Sequence, residues 1–188
     1  MASGSDRFLV ITGGPGAGKT TLLHALAVAG YPIVPESGRA IIREQEAIGG
    51  RAHHHGDRIL YRELMLSRDM AGHADAASVP GPVFFDRGVP DLIGYSHLIG
   101  APVPSHLRRA AEVCRYHRHV FVAPPWPEIY AGDGERRQDF AEAVATGEAI
   151  VTAYVECGYE PVTLPKAPVP ERVAFVEDCM AAWGLPTR

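Results

Sequence analysis

Thr12-Gly13-Gly14-Pro15-Gly16-Ala17-Gly18-Lys19-Thr20 fits the pattern G-x-x-x-x-G-K-[ST], a spacing of glycines, lysine and hydroxyl suited to holding a polyphosphate. Glycines admit backbone conformations closed to other residues, so successive N–H groups can turn inward onto phosphate oxygens. The helix that follows adds its partial positive charge at the N-terminus. In this reading Gly13, Gly14, Gly16, Ala17, Gly18 and Thr21 cradle the phosphates, Lys19 reaches the β- and γ-phosphates, and the Thr20 hydroxyl ligates Mg²⁺. The expected ligand is Mg·ATP.

The elements around the loop occur in the order this chemistry requires. Phe8-Leu9-Val10-Ile11 reads as a buried parallel strand, and Leu22, Leu23, Leu26 and Ala27 fall at helical spacing before Gly30. Further strands are expected at Ile33-Val34, Pro82–Asp86, His119–Val122 and Tyr159–Leu164. Helices are expected near 37–47, 57–77, 90–99, 104–115, 136–157 and 170–183. In the 57–77 helix, Ile59, Leu60, Leu64, Met65 and Leu66 supply the expected apolar face, and Arg58, Arg62, Glu63 and Arg68 the wet one. Strands alternating with one or two helices predict a three-layer α/β sandwich, a five-stranded parallel sheet covered on both faces, with the ligand at the carboxyl ends of the strands.

Each strand end therefore should carry a working residue. Asp86 directly follows Val83-Phe84-Phe85, where a carboxylate can hold Mg²⁺; its alternative is to cap the helix that starts near Pro90. Glu36 ends the second strand and can accept a proton from an attacking hydroxyl, or simply begin a helix, where negative charge is favourable. Arg39, more than Arg43, is placed to bind an anionic acceptor group. Arg136 and Arg137 open the long helix and suit a lid, about residues 126–140, that brings guanidinium to the γ-phosphoryl oxygens. Lys166, after the fifth strand, is expected to touch the base, while Tyr61, Arg62, Tyr95 and Trp126 are candidates to line a pocket. His53-His54-His55 reads as a solvent-exposed loop, because adjacent side chains diverge whereas metal ligands converge.

Bulk properties narrow the classes further. The 188 residues, 46% hydrophobic and 21% charged, fit one domain, and a formal net charge of −4 disfavours DNA or RNA as a partner. No apolar run approaches the roughly 20 residues of a membrane span and the N-terminus lacks a signal peptide, so a cytoplasmic monomer or homodimer is expected. Cys114, Cys157 and Cys179, an odd number without a C-x-x-C, read as structural thiols. Sixteen arginines stand against two lysines, which makes any single arginine weak evidence.

Hydrolases of the P-loop class that activate water commonly place Glu directly after the magnesium-organising Asp; here Arg87 stands there. No N-K-x-D or T-K-x-D guanine-reading motif is present. The first feature favours transfer to a hydroxyl over hydrolysis, and the second counts against a GTPase switch of the Ras type. Thr12 to Thr20, Val34-Pro35-Glu36-Ser37-Gly38-Arg39 and Phe84-Phe85-Asp86-Arg87-Gly88 together resemble the small AAA-domain P-loop proteins that include the nicotinamide riboside kinase domain, and more distantly the deoxynucleoside and thymidylate kinases. The resemblance implies a glutamate near the acceptor hydroxyl, matched by Glu36, an Asp-Arg pair after the third strand, matched by Asp86-Arg87, and lid arginines, matched by Arg136-Arg137. Arg87 joins Glu36 and Arg39 as an expected acceptor-side residue. The chain departs at Ser37-Gly38, where riboside kinases tend to carry an aromatic residue. The expected function is an ATP-dependent small-molecule kinase, possible acceptors including a nucleoside; the alternatives are a nucleotide- or lipid-binding regulatory module with little turnover, and an ATPase.

Overall fold

In the computed structural model, which describes residues 4–130 and 140–188, five strands form one parallel sheet in the order β2-β3-β1-β4-β5. The strands are β1 (Phe8–Gly13), β2 (Ile33–Val34), β3 (Val83–Asp86), β4 (His119–Ala123) and β5 (Glu160–Thr163). The α-helices are α1 (Lys19–Val28), α2 (Ser37–Ala47), α3 (Arg58–Ala76), α4 (Val89–Leu98), α5 (Ser105–Val113), α6 (Phe140–Glu156) and α7 (Val169–Ala182). Boundaries shift by a residue or two from the expected ones, as helix and strand ends commonly do.

All six residues of the central strand β1 are buried, because helices cover both faces of the sheet. Side chains alternate across it. Leu9 and Ile11 pack with Leu22, Leu26, Val176 and Met180 of α1 and α7. Phe8 and Val10 pack with Phe85, Ile150 and Tyr154 on the other face. Fully burying each such aliphatic or aromatic side chain is worth about 2 kcal/mol, so this two-sided core is what holds the strand ends in register. A further cluster, including Ile41, Tyr61, Met65, Leu92 and Leu107, ties α2 to α5 together as a cap beside the sheet.

The expected faces of α3 need correction. Ile59 and Leu60 are each 42% exposed, whereas Arg62 is buried at 4%. Arg62 donates to Ser96 Oγ at 3.0 Å, to the Pro102 carbonyl at 3.1 Å and to Glu63, so its charge enters the interior fully partnered. It is a clamp between α3 and α4, not a pocket residue.

Candidate functional site

The chain leaves β1 at Gly13, whose φ of +126° and close approach to Ala123 exclude any side chain: a Cβ would collide with the Ala123 carbonyl. Gly16, at φ +70°, lies under the Tyr130 ring. The loop then feeds α1, whose first residue, Lys19, is only 7% exposed and donates from Nζ to the carbonyls of Gly13 at 3.1 Å and Gly14 at 2.6 Å. Burial, joined by the Arg87 charge, lowers the Lys19 pKa to about 7, with Asp86 and Glu36 opposing. A cavity of about 600 Å³ opens beside the loop, lined by Pro15 to Thr21 together with Glu36, Arg39, Asp86, Arg87, Trp126, Ala167 and Arg172.

Asp86 ends β3 in this cavity and does not cap the next helix. Gly88 is the N-cap of α4, and Asp91 supplies the carboxylate there, accepting from Gly88 N–H at 3.0 Å. Asp86 Oδ1 is buried without a hydrogen-bond partner among the described residues. Burial raises the Asp86 pKa, with Arg87 opposing. A buried carboxylate oxygen without a partner among the described residues, in a cavity that Thr20 also lines, fits a hard cation such as Mg²⁺, which takes oxygen ligands and few protein groups. No cluster of three His, Cys, Asp or Glu residues suited to a metal occurs among the described residues.

Arg87 is the one non-glycine residue with positive φ among the described residues, at +74°. That conformation costs about 1–2 kcal/mol and persists because the surroundings hold it. Its N–H donates to the Ile11 carbonyl at 3.1 Å, its guanidinium meets Asp91 Oδ1 at 2.8 Å and Glu36 Oε1 at 3.5 Å, and all three side chains are at least 85% buried. Burial would discharge Arg87, but Glu36, Asp91 and Asp86 outweigh it and raise the Arg87 pKa. Asp91 is the hub beneath: it also accepts from Thr12 Oγ1 at 2.6 Å and from the Tyr154 hydroxyl at 2.7 Å. Glu36 stands at the N-cap position of α2 but makes no side-chain cap; its carboxylate faces Arg87 and, at 3.9 Å, Arg39.

A second cavity, about 440 Å³, lies on the other side of Glu36 and Arg87. Tyr61, Met65, Leu92, Tyr95, Ile99 and Ile150 give it an apolar wall, and Arg58, Asp91 and Glu142 add polar groups. Tyr61 and Tyr95 meet edge to face with centroids 6.0 Å apart. Glu36 and Arg87 border both cavities.

Several expected residues sit elsewhere than expected. Trp126 borders the loop cavity and Arg39 does too, rather than the second one. Lys166 is exposed and borders neither, although Ala167 beside it lines the loop cavity. His54 and His55 are not simply a solvent-exposed loop: their rings lie 3.9 Å apart and line the second cavity. Arg136 and Arg137, with most of the expected lid, fall outside the described residues. Asp91 and Arg172 went unrecognised, since neither lies in a motif; only the i,i+4 spacing of Asp91 from Arg87 hinted at an ion pair.

Residues 8–172 match the family model described as an AAA domain. The chain belongs to this AAA-domain family. No curated protein matches the sequence. Among solved structures, a NadR protein in complex with NR superposes with a TM-score of 0.72 at 18% identity, covering 98% of this chain and 52% of that one. The chain thus spans about half the length of that NadR protein. Deoxyadenosine kinase from M. mycoides, solved with dCMP and dCDP, gives 0.67 at 13% identity, covering 93% of this chain and 99% of that one. Thymidylate kinase from Ehrlichia chaffeensis gives 0.62 at 14% identity, covering 94% and 99%. These likenesses show a P-loop kinase-like fold. No helix among the described residues is long and apolar enough to cross a membrane.

Proposed function

We propose that the protein is a small-molecule kinase that moves the γ-phosphoryl group of Mg·ATP to a hydroxyl of a small metabolite, with nucleosides the first class to test. The observation that carries this reading is the position of Glu36 and Arg87 on the wall between two cavities, one at the phosphate-binding loop and one partly aromatic. An ATPase needs room for water alone; a cavity of about 440 Å³ that shares Glu36 and Arg87 with the loop cavity suits an organic acceptor.

In this mechanism the loop N–H groups and Lys19 grip the β- and γ-phosphates, giving up the contacts of Lys19 with Gly13 and Gly14. Thr20 and Asp86 would hold Mg²⁺, which would supply positive charge against the phosphates. The acceptor hydroxyl enters from the second cavity, and Glu36 takes its proton as the new O–P bond forms and the bond to ADP breaks. Arg87, fixed by Asp91, pairs with the Glu36 carboxylate and holds it at the wall between the cavities. Arg39 balances charge at the phosphate end, and Arg136 and Arg137, outside the described residues, would supply the lid guanidinium expected from the sequence.

A panel of nucleosides and other hydroxylated metabolites incubated with Mg·ATP, read by ADP release and product mass, should contain one that raises ATP consumption far above the water background. Glu36→Gln should lower transfer by about 10²- to 10⁴-fold and leave ATP affinity unchanged. If no acceptor raises turnover and Glu36→Gln changes nothing, the kinase reading fails and a binding module or ATPase takes its place.

A further inference from the structure

Arg172, on α7, is 2% exposed and borders the loop cavity. Its Nη1 donates to the Gly18 carbonyl at 3.1 Å, at the foot of the phosphate-binding loop. Nε and Nη2 have no hydrogen-bond partner among the described residues. Burial pushes its pKa down, and no carboxylate among the described residues offsets this. A buried guanidinium that keeps two donors unpaired is unfavourable in the empty protein and becomes favourable once an acceptor arrives.

The free atoms specify the acceptor's shape. Nε and Nη2 form one edge of the planar guanidinium, two parallel donors that match two adjacent acceptor atoms. Their surroundings specify which part of the ligand. Ala167, Pro168 and Val169 on one stretch and Trp126 and Ile129 on another give this end of the cavity its apolar lining, suited to a planar base, while Lys19 serves the phosphate end. Lys166, expected at the base, does not reach the cavity.

We propose that Arg172 is a nucleotide-binding residue whose Nε–Nη2 edge takes two adjacent acceptors on the base-proximal half of a nucleoside triphosphate. Two sources offer that chemistry: non-bridging oxygens of the α-phosphate, and the O6–N7 edge of guanine, which adenine cannot offer because it presents a donor beside N7. The proposal rests on the reading of the loop cavity as a triphosphate site.

The test is calorimetry of wild type, Arg172→Gln and Arg172→Lys with Mg·ATP, Mg·GTP and pyrophosphate, the last filling the β and γ positions alone. Arg172→Lys keeps the charge and one donor for Gly18, so it reports the lost edge even if Arg172→Gln folds poorly. Contact with the α-phosphate predicts that ATP and GTP both weaken about tenfold or more while pyrophosphate is unchanged. Contact with guanine predicts that GTP alone weakens, from a wild type that favours GTP. Equal weakening of pyrophosphate would mean that Arg172 only holds the loop, and no change in any ligand would mean that it does not touch nucleotide; either result overturns the proposal. A wild type that binds neither triphosphate overturns the underlying site reading instead.

Discussion

Lys19 is buried at the head of α1 with a pKa lowered to about 7, so in the free protein it is half protonated near neutrality and largely neutral above. A triphosphate demands the ammonium form. Binding above about pH 7 must therefore draw a proton from solvent, and apparent affinity scales with the protonated fraction of the free site. With a pKa of about 7, that fraction falls from about one half at pH 7 to about one hundredth at pH 9. ATP affinity should then drop about 50-fold across this window, roughly 2.3 kcal/mol. The nucleotide's own last phosphate proton, with a pKa near 6, is already lost there and contributes little to the slope. The stability of the empty protein moves oppositely: the unfolded chain binds the Lys19 proton up to about pH 10 and the folded chain does not, so stability rises with pH between about 7 and 10. Titrations at pH 8 in buffers of different ionisation enthalpy should register uptake of close to one proton per ATP. An affinity flat from pH 7 to 9 with no proton uptake would refute the premise that burial discharges Lys19.

Removing the Asp91 hub leaves Arg87, Thr12, Tyr154 and the Gly88 N–H without their shared acceptor, so Asp91→Ala should destabilise by about 3–5 kcal/mol in urea unfolding, and a loss below about 1 kcal/mol would deny it that role. At Gly94 a Cβ would lie 2.8 Å from Ile150 Cα, forcing α4 off α6; Gly94→Ala should cost about 1–3 kcal/mol and raise the acceptor KM without changing ATP affinity. Burial raises the Asp69 pKa to about 7 despite its hydrogen bond to Ser37. The folded chain therefore holds that proton longer than the unfolded one, and stability should fall as pH rises from about 4 to about 7; Asp69→Asn should flatten this slope in denaturation curves, and an unchanged profile would exclude Asp69 as its source.

The sheet and the loop were legible because they obey local rules: an apolar run, glycines at fixed offsets, a lysine, a helical repeat. The place of Glu36 and Asp86 on the loop cavity was legible by one further rule, that parallel strands of such sheets open their ligand crevice at their carboxyl ends. What escaped were residues whose roles are set by distant partners. Arg62 has the spacing of a solvated helix face, yet Ser96 and the Pro102 carbonyl, 34 and 40 positions on, make its burial tolerable. Arg172, one of the chain's sixteen arginines, lies on the last helix, and its significance arises only when α7 docks against the loop and leaves two donors without a partner among the described residues. The short strand β2 likewise takes its role from distant partners. With only two residues, paired to Phe84 and Phe85 of β3, it delivers Glu36 to Arg87 just after the turn from sheet to helix. Glu36 is thus held by the edge of the sheet on one side and by an arginine in a strained conformation on the other. A carboxylate that merely began a helix would require neither, and the cost of the Arg87 backbone is intelligible if the wall between the two cavities is where a proton is passed.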